Sequence, residues 1–241
     1  MTNANMEPAS MLDHAGGRNA AGTLRDLLRL EQVRLVYEQM LPSQLVAVLN
    51  AVVFVAVQSL VIAAPVLIAW LAAMCVLALI RIAGGIAFRS AAPNAGQIGR
   101  WRLYAIAGAA ASGILWGSAA WLLFPPMNVA HQVFVAFILG GMVAGSVTTL
   151  APVLPAFLAY AVLTLVPAIV RFPLQQDYVH YAMGWMIAVF LAAVIVIGRR
   201  SHKHMSDMLR LRIENVGLTG ELHAAREKPR QARQSADAER A

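Results

Sequence analysis

Six long apolar runs dominate the chain: Ser43–Ile62, Val66–Ala83, Trp101–Phe124, Gln132–Leu150, Val153–Val170 and Val179–Gly198. Each is close to the ~17–25 residues that a helix needs to cross a bilayer. No Asp, Glu, Lys or Arg lies between Glu38 and Arg81, and none between Arg102 and Arg171. Breakers separate the runs: Ala63-Ala64-Pro65, Pro125-Pro126, Ala151-Pro152 and Pro173. A spanning segment must satisfy its own backbone N–H and C=O groups, so helices are the expected solution. The pattern predicts an all-α polytopic membrane protein, a bundle of six transmembrane helices. The first run begins about forty residues in, too late and too long for a cleaved signal peptide.

Polar patterning outside the runs sets the remaining boundaries. Residues 1–22 are small and polar, and are expected to be disordered. Thr23 followed by Asp26 resembles a capping box that opens a juxtamembrane amphipathic helix over 23–42, with leucines at 24, 27, 28 and 35 and arginines between them. Pro42 is expected to separate that helix from the first span. The six-helix domain occupies 43–198, a charged helix follows over 199–228, and 229–241 is expected to be a disordered tail.

Composition agrees: 59% of the 241 residues are hydrophobic and 13% charged, with a mean hydropathy of +0.64. The charge is more informative by its placement. With the N-terminus inside, the inner segments hold Arg18, Arg25, Arg29, Arg34, Arg81, Arg89, Arg100, Arg102 and ten more Lys or Arg after Gly198. The outer segments hold only Arg171. That asymmetry places both termini in the cytoplasm and accounts for the net charge of +7. No aromatic-interleaved basic motif accompanies it, so no nucleic-acid partner is expected. The bilayer, including anionic lipid at the inner face, is the expected partner.

Candidate chemistry is sparse. Cys75 is the lone cysteine and sits in an apolar span, which excludes an internal disulfide or a cysteine metal site. The spans hold no carboxylate, which argues against ion-coupled pumping. Arg81 lies near a span end, where its side chain is expected to snorkel outward. Gln58, Asn50, Ser112, Ser146, Thr148, Thr149 and Thr164 suit interhelical hydrogen bonding. Ser112 and His180 would be the nucleophile and base of an intramembrane protease. They fall at mid-membrane and at the outer surface, too far apart for the required hydrogen bond. No catalytic residue, cofactor or resident metal is assigned.

Three features remain. His131, Asp177 and His180 collect at the outer rim with Gln132, Tyr178 and Tyr181. A metal- or pH-sensing cluster and an ordinary aromatic and polar belt both account for them. Trp101 and Trp121 fit that belt, whereas Trp116 or Trp185 is placed to face a pocket. Gly141 and Gly145 form a G-x-x-x-G in which small residues permit close helix packing, within the chain or between chains. Pro155 and Pro167 bracket the fifth span and permit a kink.

Beyond the last span, Met208, Leu211, Asn215, Leu218, Leu222 and Ala225 recur at spacings of 3, 4, 3, 4 and 3. That is the a/d seam of a coiled coil, with Asn215 at an a position where a buried amide fixes register. A cytoplasmic C-terminal coiled-coil helix and a parallel homodimer follow. Gly217 and Gly220 weaken the helix by about 1 kcal/mol each relative to Ala, and Pro229 is expected to end or kink it.

The stretches "RLVYEQMLPSQLVAVLNA", "ILWGSAAWLLFPP", "HQVFVAFILGGMVAGSVTTLAPVLPAFLAY", "HYAMGW" and "LRLRIENVGLTGELHAAREK" together resemble the N-terminal membrane module of bacterial sensor proteins. The resemblance covers Arg34 to Lys228. It implies a module of the bacterial inner membrane joined to a histidine kinase core or a GGDEF diguanylate cyclase domain. "ELHAAREK" is similar to linkers that enter a kinase dimerisation helix. No phosphoacceptor motif, ATP-binding box or GGDEF appears up to Ala241, so the expected role is non-catalytic: sensing and signal transmission to the C-terminal helix, with the output domain elsewhere. A small six-helix transporter or channel is the alternative.

Overall fold

The structure, a computed structural model, describes residues 25–91, 93 and 95–238. The polar segment 1–22 and the Thr23 cap lie outside the described residues. Among those described, the protein is helical with no strand. Seven helices follow in order: α1 (25–38), α2 (Met40–Gln58), α3 (Ala64–Ala91), α4 (Ile98–Leu122), α5 (Val129–Leu150), α6 (Leu154–Arg171) and α7 (Tyr178–Ala238). Six are long and apolar enough to cross a membrane: α2 to α6, and α7 over Tyr178–Leu211. The six runs legible in the sequence are these six helices.

One expected breaker acts differently, and another does not stop its helix. Pro42 does not separate α1 from α2. The turn falls at Gln39, and Pro42 sits in the first turn of α2. The backbone N–H groups of a first turn have no helical partner, so proline loses nothing there. Pro229 does not end α7, which is helical to Ala238. A proline removes one backbone bond and costs about 3 kcal/mol, and the flanking turns carry the helix across it.

α1 is docked rather than merely laid on a surface. Its buried face is Val33, Val36, Tyr37 and, at the start of α2, Met40, a 3.6-residue stripe, whereas Leu27 is exposed. The Tyr37 ring stacks on Phe88 of α3 with centroids 4.2 Å apart, and its hydroxyl donates to the Trp101 carbonyl of α4 at 3.0 Å. Burial pushes the Tyr37 phenol up to about 12, so it stays a donor at any physiological pH. Met40 lies against Gly85. These contacts fasten α1 to the arginine-rich end of the bundle, where α3 finishes and α4 begins.

Among the described residues, α4 and α6 approach each other backbone to backbone. A Cβ placed on Gly113 would lie 2.8 Å from the Tyr160 carbonyl oxygen, and one on Gly117 only 2.2 Å from that of Leu163. Gly113-x-x-x-Gly117 is thus the motif that brings two backbones together within the chain. Among the described residues, nothing lies within 4 Å of a Cβ built on Gly141 or Gly145. Polar side chains tie other helices. Gln58 Nε2 of α2 donates to the Leu123 carbonyl at 2.7 Å, Trp70 Nε1 of α3 to that of Leu115 at 3.0 Å, and Asn50 Nδ2 of α2 meets Met142 Sδ of α5 at 3.5 Å. Ser146, Thr148 and Thr149 instead bond carbonyls of their own helix.

α7 is held along its membrane segment. Gly184 accommodates the Pro173 ring and Gly198 the Phe157 ring of α6. His202 Nδ1 faces the Ala151 carbonyl, in the α5–α6 connection, at 2.9 Å. The chain divides into compact units at 1–203 and 204–241. In the second, Met208 and Leu211 of the expected seam are exposed. The side chains of Asn215, Leu218 and Leu222 lie outside the described residues.

Candidate functional site

Arg81 organises the centre of the bundle. Side chains on a helix lean toward its N-terminus, and for Arg81 on α3 that direction points away from the arginine-rich end. The guanidinium therefore does not snorkel outward as expected. It crosses the face of α4 at Gly108, where a Cβ would come within 3.3 Å of Nε. Nη1 donates to Ser112 Oγ at 2.8 Å, and that hydroxyl donates onward to the Gly108 carbonyl at 3.0 Å. Ser112 lies ten residues beyond Arg102, about 15 Å along α4, so the charge reaches well into the apolar layer.

No carboxylate answers it. The ion pairs among the described residues are Arg29–Asp26, Arg34–Glu31, Arg34–Glu38 and His180–Asp177, all remote from Arg81 in sequence and none of them involving it. Placing an arginine at mid-membrane costs roughly 2.5–3.5 kcal/mol on insertion scales. One hydrogen bond to a charged group returns about 1.5–3 kcal/mol. Ser112 thus offsets much of the burial, but it supplies no counter-charge.

Beside Arg81 lies a cavity of about 140 Å³ between α2, α3, α4, α5 and α6. Its polar wall includes Gln44, Arg81, Ser112, Ser146, Thr149 and Tyr160. Met74, Leu77, Trp116, Met142 and Leu150 form the apolar part. Trp116 is 1% exposed, so of the two tryptophans expected at a pocket it is the one that lines this cavity, while Trp185 is 73% exposed. Gly141 and Gly145 line the cavity too. Their missing side chains thin its α5 wall; among the described residues they bring no other helix close. A second, wider groove of about 510 Å³ meets Arg81 from the side of Tyr37, Trp101 and Tyr104.

At the other end of the bundle the rim residues divide. His180, 4% exposed, is held on both ring nitrogens: Nδ1 faces Asp177 Oδ2 and Nε2 faces Gln132 Oε1, each at 2.5 Å. Gln132 is oriented by its own Nε2, which donates to the Pro125 carbonyl at 2.8 Å. The His180 backbone N–H donates to Asp177 Oδ1, and this bond leads the causes that hold the Asp177 carboxyl below its ordinary range. His131 is not part of this set. Both its ring nitrogens are buried without a hydrogen-bond partner. Among the described residues no three His, Cys, Asp or Glu side chains are grouped to hold a metal ion. The structure therefore joins Asp177 to Gln132 through His180 and leaves His131 aside. Ser112 and His180 belong to separate hydrogen-bonded sets.

Arg81 is the residue that sequence reasoning placed wrongly. Its signal was available: a lone charge in a long apolar run, with no partner of opposite sign in any span. Gly108 and Tyr160, which complete its surroundings, carry no such mark.

The chain matches no known family model, no curated protein and no solved structure. Fold and composition define its class: a multi-pass, all-α membrane protein with a charged, water-sized-and-larger cavity inside its helix bundle.

Proposed function

We propose that this chain is the non-catalytic sensory and signal-transmitting membrane module of a bacterial sensor, of the histidine kinase or diguanylate cyclase kind, set in the inner membrane with both termini in the cytoplasm. The observation that carries the reading is α7, a single helix from Tyr178 through a membrane span into a charged extension. Around it, cavity and helix are mechanically joined. Leu150 lines the cavity, and its neighbour Ala151 bonds His202 of α7. Tyr160 lines it from α6, and Phe157, one turn earlier, rests on Gly198 of α7. A change in the cavity that shifts α6 therefore reaches α7 by direct contact. The Lys and Arg asymmetry supports the orientation.

The test is a fusion of the full chain, in heptad register, to a cyclase or kinase output domain in a bacterial membrane. Output should respond when Gly198→Ala disturbs the α6–α7 contact, at unchanged fusion abundance. A transporter is the other reading: saturable solute uptake by the purified chain in proteoliposomes, with output indifferent to Gly198→Ala, would replace the sensor.

Such a module acts as a parallel homodimer. Both copies leave the membrane in one direction, so Asn215 faces Asn215 in register, and two amides can bond each other across the seam. Two heptads are too short to hold alone, so membrane contacts add to them. In a Cys75→Ser background, cysteine at Leu211 or Leu218 should crosslink efficiently in membranes, and cysteine at Arg210 or Glu214 far less. Equal crosslinking at all four positions would remove the seam.

A further inference from the structure

We infer that the cavity beside Arg81 is a binding site for a small organic monocarboxylate. Four observations converge on this chemistry. First, Arg81 brings a positive charge into the bundle, it bonds the Ser112 hydroxyl, and among the described residues no carboxylate is paired with it. Second, Ser112 accepts from Arg81 and donates to Gly108, which fixes the guanidinium in place before any ligand arrives. Third, Gly108 is what admits the arginine side chain to this position; the three atoms nearest to a Cβ there all belong to Arg81. Fourth, the space beside the guanidinium is real. Its volume of about 140 Å³ is many times the roughly 10–15 Å³ of probe-occupied space that one water needs.

The lining selects among anions. A guanidinium fork matches the two oxygens of a carboxylate, and keeps its charge in environments that would discharge a lysine. Tyr160 and Thr149 line the same wall. One positive charge balances one negative charge, so a phosphate dianion would bring uncompensated charge into the apolar layer. Chloride would leave the apolar wall of Met74, Leu77 and Trp116 without a partner. A monocarboxylate with a short hydrocarbon tail places its head on Arg81 and its tail on that wall. Gly141 and Gly145 leave room on the α5 side, since a Cβ on either meets nothing.

The role of this ligand as a stimulus rests on the sensory reading above; its binding does not. The experiment is calorimetric titration of the full chain in lipid nanodiscs with propionate, its neutral isostere propionamide, and inorganic phosphate, beside output from the fusion protein. Propionate should bind saturably, propionamide should not compete, and R81Q should weaken propionate by about thirtyfold or more, the loss typical of truncating one side of a buried charge pair. If R81Q does not fold, the wild-type comparison of propionate with propionamide decides alone. No saturable binding of propionate, equal binding of propionamide, or phosphate binding as tightly as propionate would each overturn the assignment. Binding that leaves the fusion's output unchanged would support the site and count against the sensory reading. An output response to Gly198→Ala in a chain that binds no carboxylate would do the reverse.

Discussion

Replacing Gly117 with alanine should unfold or severely destabilise the bundle, whereas the same change at Gly141 or Gly145 should cost nothing. The Cβ of Gly117→Ala would sit 2.2 Å from the Leu163 carbonyl oxygen and 3.0 Å from Pro167 Cγ. The first obstacle is backbone, so no rotamer change relieves it. α4 and α6 must separate instead, and a radial gap of 0.5–1 Å already forfeits a quarter to a half of each dispersion contact along the pair. Alanine is the better helix former by about 1 kcal/mol, but overpacking a well-filled interior costs about 1–3 kcal/mol and occasionally more. With backbone at 2.2 Å the cost should exceed that range, at about 4 kcal/mol, so the clash should win with a net loss of about 3 kcal/mol. Gly113→Ala, at 2.8 Å from the Tyr160 oxygen, should fall between the two extremes. Gly141 and Gly145 have nothing within 4 Å, so their alanine variants should lose nothing and gain up to about 1 kcal/mol from helix propensity. Unfolding of detergent-solubilised protein in a denaturant series measures all four. Equal losses at Gly117 and Gly145 would contradict the packing described.

The two G-x-x-x-G motifs show what the sequence made legible. Spans were readable because charge is excluded from a bilayer core whatever the tertiary structure. Six apolar runs therefore became six helices with displaced ends: Ser43–Ile62 became Met40–Gln58, and Val66–Ala83 became Ala64–Ala91, about two turns longer at its C-terminal end. Which face of each helix meets which neighbour was not readable, because lipid tails are as apolar as the interior and no hydrophobic stripe marks the inside. Gly141-x-x-x-Gly145 and Gly113-x-x-x-Gly117 are equivalent as patterns. Only the second sits under another helix. The same blindness explains α1, where the leucines suggested the buried face and Val33, Val36 and Tyr37 supplied it. It explains Arg81 too: snorkelling is the default for a lone arginine near a span end, and only the position of Gly108 shows that the inward path is open. The Asp177–His180 pair was legible because three residues of helix place the two on one face. Gln132 was seen at the same rim, but its bond to His180 depends on α5 meeting α7.

That relay carries the second large effect, and its direction is an ordering of two variants. Gln132→Leu should cost clearly more than His180→Leu. In the parent, Gln132 Nε2 donates to the Pro125 carbonyl and Gln132 Oε1 faces His180 Nε2, with both side chains buried. Leucine at 132 strands two partners, the Pro125 oxygen and the His180 ring nitrogen. Leucine at 180 strands only Gln132 Oε1, because Asp177 is exposed and exchanges its histidine for water. A buried polar group left without a partner costs about 1–3 kcal/mol, so the expected ratio of losses is about two to one. His180→Leu also removes a ring packed against Phe172 at a centroid distance of 6.0 Å, but leucine refills most of that volume and the apolar contact survives. The double variant should cost less than the sum of the singles, since the His180–Gln132 bond is lost once and no lone partner of it remains; the Pro125 carbonyl is then the residual defect. Denaturant unfolding of the two single variants and the double variant measures the cycle. A larger loss in His180→Leu than in Gln132→Leu, or strict additivity, would mean that the imidazole and the amide do not share one hydrogen-bonded set in the folded protein.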